Sequence, residues 1–201
     1  MKAVNVAVVG ATGAVGEAMI EILESRDFPV DQLFPLASSR SAGKSLRFKG
    51  KRYTVQDLSN FDFSQTPVAL FSAGGDVSAE YAPIAAQQGC VVIDNTSHFR
   101  RDDDIPLVIP EVNPEAIGQF RQRNIIANPN CSTIGMLMAL KPIYDVAGIE
   151  RINVATYQAV SGTGKDAIEE LAGQTARLLN GKEAEPKVYP RQIAFNVIPH
   201  I

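Results

Sequence analysis

Hydrophobic positions fall in two regimes along this chain. In the first, short and almost wholly apolar runs recur at Val4–Val9, Leu33–Ala37, Val68–Phe71, Cys90–Asp94 and Ile125–Ala127. A run with no polar face reads as a strand buried on both sides, as in a parallel sheet. Between the runs lie helical patterns. Val15, Met19, Ile22 and Leu23 share one face of the first, and a second spans about Val77 to Gln88. Strands alternating with helices predict an α/β fold with a doubly wound parallel sheet. Leu46-Arg47-Phe48 and Tyr53-Thr54-Val55 flank Lys49-Gly50-Lys51-Arg52 and read as a peripheral hairpin. Leu107–Pro110 reads as a short extended piece, Asn113-Pro114-Glu115 opens a brief helix, and Ile134–Ala139 carries a further helical pattern.

The pattern changes after the cysteine-bearing helix. Arg151–Val160 alternates polar and apolar residues over most of its length, which fits a half-buried strand of a mixed or antiparallel sheet. Ser161-Gly162-Thr163-Gly164 then turns into a helix from about Lys165 to Leu179, stopped by Asn180-Gly181, and Gln192–Ile198 reads as a last strand. The expected organisation is a Rossmann-type nucleotide-binding domain over residues 1–130. The start of a mixed α+β domain, incomplete at its C-terminal end, follows over 131–201. No internal repeat, low-complexity segment or long linker interrupts the chain.

Composition narrows the partners. The 201 residues are 45% hydrophobic and 20% charged, ordinary globular material. A net charge of −3 gives no electrostatic reason to expect nucleic acid or an anionic membrane. No apolar run approaches a bilayer span, and the run after Lys2 meets Gly10 too early for a signal peptide. Two cysteines, Cys90 and Cys131, make no disulfide framework. A cytoplasmic protein is the expectation. Asp102-Asp103-Asp104 reads as a solvated turn, and no residues have firm metal-ligand spacing.

Candidate chemistry gathers where strands end. Gly10-Ala11-Thr12-Gly13-Ala14-Val15-Gly16 follows the first strand and opens a helix. Glycines there serve a tight turn, close approach to a phosphate and helix–strand packing, and the helix N–H groups bind the anion. After the second strand the place of the acid that would meet an NAD ribose holds Ser38, Ser39, Arg40 and Ser41. An arginine among hydroxyls suits a 2′-phosphate, which predicts NADP over NAD. Ser72-Ala73-Gly74 forms a small-residue loop after the next strand. Asn95–Arg101 forms a polar one, in which Arg100 or Arg101 is placed to hold an anionic group. Asn128-Pro129-Asn130-Cys131-Ser132-Thr133 joins a strand to a helix. There, unpaired N–H groups and the helix dipole favour thiolate, the reactive form of Cys131. Cys90, inside a strand, reads as core.

With these residues laid out, the chain resembles the aspartate-semialdehyde dehydrogenase family. The resemblance rests on Gly10–Gly16, Ala37–Ser41, Val108–Asn113, Asn128–Thr133, Tyr157–Gly162 and Phe195–Pro199, which occur in family order over the whole chain. N-acetylglutamyl-phosphate reductases share the fold and chemistry but surround the cysteine differently. The resemblance implies an NADP-dependent, reversible conversion of aspartate semialdehyde plus phosphate into aspartyl phosphate, in the biosynthesis of lysine, threonine and methionine. It makes Cys131 the nucleophile and Gln158 the residue that orients substrate. Arg100 becomes a clamp on substrate phosphate or carboxylate, with Asn130 among the substrate contacts. Gly10, Thr12, Gly13, Ala14, Val15, Arg40, Ser41, Ser161 and Gly162 match NADP contacts, and Ser72, Ala73, Gly74 and Asn95 line the same cleft.

The resemblance further implies a segment beyond residue 201 that carries the histidine acid/base, a second substrate arginine, a phosphate-binding lysine and most of the dimer-forming sheet. The full-length family member is expected to be a homodimer. This chain is expected to be a fragment, inactive by itself, with exposed apolar surface. Neither histidine present, His98 or His200, suits the general-base role. Two other readings stay open: a same-fold reductase of another acyl phosphate or acyl-CoA, and a homologue that only binds nucleotide.

Overall fold

The computed structural model describes residues 2–199. They form two compact units, Met1–Arg151 and Ile152–Ile201.

The first unit is built on a six-stranded sheet. Its strands are β1 (Val4–Val9), β2 (Val30–Ala37), β5 (Gln56–Asp57), β6 (Val68–Phe71), β7 (Val91–Asp94) and β8 (Ile125–Ala127). β3 (Ser45–Phe48) and β4 (Lys51–Thr54) pair antiparallel as the separate hairpin expected from the sequence. The large sheet runs β5-β2-β1-β6-β7-β8, and every pairing in it is parallel. This is the doubly wound order, in which the chain starts at the centre and reverses direction between β1 and β6.

The apolar runs form strands because both faces of the sheet are covered. Ala7 and Val9 of β1 join Phe34, Leu36, Ala69, Phe71 and Val92 in one buried cluster. The intervening Val6 and Val8 join Leu33, Ile20 and Phe48 in the other. A strand whose alternate side chains enter two different cores has no position left for a polar residue. Ile20 comes from α1 (Ala14–Ser25), while Ala82, Ala85 and Ala86 come from α2 (Gly75–Gln87). A 3-10 helix, Pro114–Gln122, precedes β8, and α3 (Cys131–Ala147) follows it.

α3 begins earlier and ends later than the apolar periodicity indicates. Asn130 caps it by accepting a hydrogen bond from Ser132 N–H at 2.9 Å. Gly148, at φ +71°, ends it. Cys131 is therefore the first helical residue.

The second unit holds a 3-10 turn, Val160–Thr163, and α4 (Lys165–Leu179), the helix expected there. Two expected strands are absent among the described residues. Residues 151–159 have no regular structure, because none of the described residues offers a ladder for this alternating segment to join. Residues 192–198 are also irregular. Phe195 sits at φ +56° and Asn196 N–H bonds back to Ile193 C=O, so the extended run is broken by a turn. Extended segments in this unit are held by side chains of α4 instead. Gln174 Oε1 accepts from Ile193 and Ala194 N–H at 2.9 and 3.2 Å, and Arg177 reaches Glu183 and Glu185. No helix among the described residues is long and apolar enough to cross a membrane.

Candidate functional site

The strand order sets the site. β1 and β6 are neighbours, and their carboxyl ends open the crevice where ligands bind in such sheets. The Gly10–Gly16 turn and the Ser72–Gly74 loop meet there. Gly10 adopts φ +84°, and a β-carbon on it would stand 2.9 Å from Ala73 N. Ser72 is tied back by bonds from its N–H and its hydroxyl to Val9 C=O, both 3.0 Å. Gly16 lies against the turn, and a β-carbon there would come within 2.1 Å of Gly10 O. Gly13 leaves the start of α1 with no side-chain cap. The helix's first N–H groups stay available to an anion. Gly10 and Gly16 thus serve the tight turn and its packing against the helix. Val15 is exposed beside this turn, while Thr12, Gly13 and Ala14 are half-buried.

Along the same edge, β2 ends in an exposed Ser38-Ser39-Arg40 followed by a half-buried Ser41. The turn is closed by Ser41 N–H and Ala42 N–H, which both donate to Ser38 C=O. Lys44 Nζ lies 3.3 Å from Ser41 Oγ.

The loops after β7 and β8 form one hydrogen-bonded platform. Asn128 Nδ2 donates to Asn95 Oδ1 at 2.8 Å. Arg100 binds both loops, donating from Nε to Asn128 C=O at 3.0 Å and from Nη2 to Asn95 C=O at 3.1 Å. Part of its guanidinium is committed to positioning the platform, and a fork of five donors leaves others for an anion. Beneath it, the buried Asp94 carboxyl accepts from Ser78 Oγ and Thr96 Oγ1, both at 2.7 Å, and from Thr96 N–H at 3.2 Å. Sequence reasoning leaves Asp94 as a strand end. A signal is present all the same, since a buried carboxylate followed by threonine forms a local Asx-type turn. Asp104 pairs with Arg123 at 2.9 Å.

Cys131 stands at the end of this row, exposed, in the first turn of α3. Cys90 is fully buried, 3.9 Å from Thr66 Oγ1. Burial pushes its thiol up to about 11, against a smaller opposing effect of the Thr66 hydrogen bond. The two cysteines thus separate as one buried in the core and one exposed.

Gln158, Ser161 and Gly162 belong to the second unit and are exposed. Gln158 Nε2 lies 3.3 Å from Thr156 Oγ1. Ser161 and Gly162 sit in the 3-10 turn that leads into α4 through Gly164 at φ +108°. His98 is exposed and packs edge-on against Phe99 at 4.6 Å, and His200 lies outside the described residues.

A doubly wound sheet with a glycine turn at its switch point, and an exposed cysteine opening a helix on the same edge, defines a nucleotide-binding domain. The comparisons agree. The model for the semialdehyde dehydrogenase NAD binding domain matches residues 5–120, and that for the semialdehyde dehydrogenase dimerisation domain matches 140–201. The chain belongs to the semialdehyde dehydrogenase family. It is 70% identical over 197 residues to an aspartate-semialdehyde dehydrogenase of Shewanella violacea, covering 98% of this chain and 58% of that one. Aspartate semialdehyde dehydrogenase II of Vibrio cholerae, solved in complex with ASA, superposes with a TM-score of 0.97 at 68% identity, covering 100% of this chain and 60% of that one. The Candida albicans enzyme solved with NADP gives 0.65 at 29% identity, covering 74% of this chain and 48% of that one. The chain therefore spans about 60% of the length of its near relatives.

Proposed function

We propose that the protein interconverts aspartate semialdehyde plus phosphate and aspartyl phosphate with NADP, in the biosynthesis of aspartate-derived amino acids. The carrying observation is Cys131, exposed as the first residue of α3, capped by Asn130 and placed on the edge that holds the glycine turn. In the reducing direction the Cys131 sulfur attacks the acyl carbon of aspartyl phosphate. The acyl–oxygen bond breaks and phosphate leaves with the bonding pair, giving a thioester on Cys131. NADPH, when bound, supplies the hydride that reduces this acyl carbon. Reforming the carbonyl expels the sulfur and releases the aldehyde.

The other residues take their roles from this reading. Gly10, Thr12, Gly13, Ala14 and Val15 cradle the pyrophosphate, with Ser72, Ala73, Gly74 and Asn95 beside it. The uncapped start of α1 and the close approach of the Ser72–Gly74 loop to Gly10 support that assignment. Arg40 and Ser41 meet the 2′-phosphate, and the absence of an acid at this strand end supports NADP. Ser161 and Gly162 add nucleotide contacts. Arg100 and Asn130 hold the substrate's anionic groups, and Gln158 orients it. By function, the chain divides into an NADP-binding domain over 1–130 and a catalytic and dimerisation domain over 131–201. The dimerisation-domain match supports a homodimer as the working form of the intact protein, and a reducing cytoplasm suits its exposed thiol.

The test is Cys131→Ser in the intact enzyme. Trapping with substrate should add an acyl mass to wild type and none to the variant, and turnover should fall on the order of 10⁴-fold or more. An acyl adduct on another residue, or preferential turnover of a different acyl phosphate or acyl-CoA, overturns the assignment. Arg40→Ala should lower the NADP/NAD preference about ten- to a hundredfold, the loss of a charge-assisted contact. An unchanged preference sinks the role given to Arg40.

A further inference from the structure

The turn carrying Ser161 and Gly162 is held by a residue far from it in sequence. We propose that Tyr189 is a positioning residue for this turn, fixing it for the nucleotide, and that Glu170 fixes Tyr189 in its place. The inference rests on the reading that Ser161 and Gly162 touch NADP.

Tyr189 is 9% exposed, and its hydroxyl donates to Thr163 Oγ1 at 2.9 Å. Thr163 is the last residue of the 3-10 turn, one position past Gly162. The turn itself is weakly built. Gly162 N–H reaches Ala159 C=O at 3.3 Å, Gly164 N–H reaches Ser161 C=O at 3.1 Å, and α4 begins at a glycine with no side-chain cap. A glycine-rich turn of this kind has many accessible conformations and must lose them to bind a ligand. A bond from a buried tyrosine removes part of that cost in advance.

A tether is only as firm as its other end. Tyr189 lies in an irregular segment, and Glu170 on α4 gathers that segment's backbone. Its Oε2 accepts from Lys187 N–H at 2.8 Å and from Val188 N–H, and its Oε1 from Tyr189 N–H at 3.4 Å. Gln174, one turn further along α4, supports Glu170 by donating from Nε2 to its Oε1 at 3.1 Å, and holds the backbone at Ile193 and Ala194. The path from α4 to the turn thus runs Glu170, the 187–189 backbone, the tyrosine hydroxyl, Thr163.

The experiment is a set of variants of the intact enzyme, read by NADP dissociation constant, KM for each substrate, kcat and thermal melting. Tyr189→Phe keeps the ring and removes the tether. It should weaken NADP about three- to tenfold, with kcat at saturating NADP, KM for aspartate semialdehyde and the melting curve all unmoved. Thr163→Val should do the same, Thr163→Ser should keep wild-type affinity, and Tyr189→Phe/Thr163→Val should be no worse than either single change. Gly162→Val reports on the turn itself. If it weakens NADP while Tyr189→Phe does not, the positioning role is overturned and the nucleotide contact stands. Additive losses in the double variant overturn it as well. If Gly162→Val leaves NADP affinity unchanged, the turn does not meet the nucleotide, and both readings fail together.

Discussion

The two units of this chain are held by different forces. In Met1–Arg151 the sheet is fixed by burial. Val6, Ala7, Val8, Val9, Leu36 and Phe71 are each 1% exposed or less, and their strands alternate between two apolar cores. In Ile152–Ile201 large apolar side chains stand in the open, with Tyr157 83%, Phe195 72% and Val197 66% exposed. What orders that unit is a polar row on α4, in which Glu170, Gln174 and Arg177 bind the backbone of a segment with no regular structure. A core tolerates little change in volume anywhere, whereas a polar clamp depends on a few particular atoms.

Truncating one aromatic in each unit puts this contrast at greatest risk. Phe71→Ala should cost about 3–5 kcal/mol, and Phe195→Ala within about 0.5 kcal/mol, both by denaturant unfolding of this chain. Similar losses would mean that the second unit has a core of its own. Next comes Gly16→Ala. The new methyl would meet the Gly10 backbone, which cannot swing aside as a side chain can. It should destabilise by about 1–3 kcal/mol and displace the glycine turn, read as lost nucleotide affinity. A variant that binds normally would show that the close packing of turn and helix is dispensable.

A subtler effect, one of pH, isolates the clamp. Burial pushes the Glu170 carboxyl up, but the N–H groups of Val188, Lys187 and Tyr189, with the charge of Lys187, outweigh it and hold the group below its ordinary value of 4.5. A lowered folded value stabilises at pH above the unfolded value, and that contribution is lost as pH falls through the folded one. The amide resonances of residues 187–189 should therefore titrate together with a midpoint below the ordinary 4.5. In Glu170→Gln they should not titrate. A transition at higher pH would show another group in control.

The same difference between the units governs how legible each is in the amino-acid sequence. The apolar runs at Val4–Val9 and Val68–Phe71 sit between glycine turns and amphipathic stretches, so local pattern and tertiary environment agree. α4 is equally legible because its periodicity and its Asn180-Gly181 stop are local. The segments at 151–160 and 192–198 read as strands and are not, because alternation shows only that a residue run suits a pleated surface, not that such a surface is present. The glycine turn, Arg40 and Cys131 stand out by their position relative to strands. Tyr189 and Glu170 do not, because their partners are distant in sequence or are backbone groups, which carry no letter in the sequence.

The strand order has a consequence for synthesis. β1 is made first and sits at the centre, yet its partner β6 begins at Val68, and Val6 pairs with that residue. As the ribosome extends the chain, the first strand must wait for a neighbour that has not been made. β8, which pairs with β7, arrives later still, immediately before Cys131. With domains folding as units during translation, the exposed thiol emerges only after the last strand of the sheet has been made. Nascent chains that stall before it never present Cys131 on a half-built sheet.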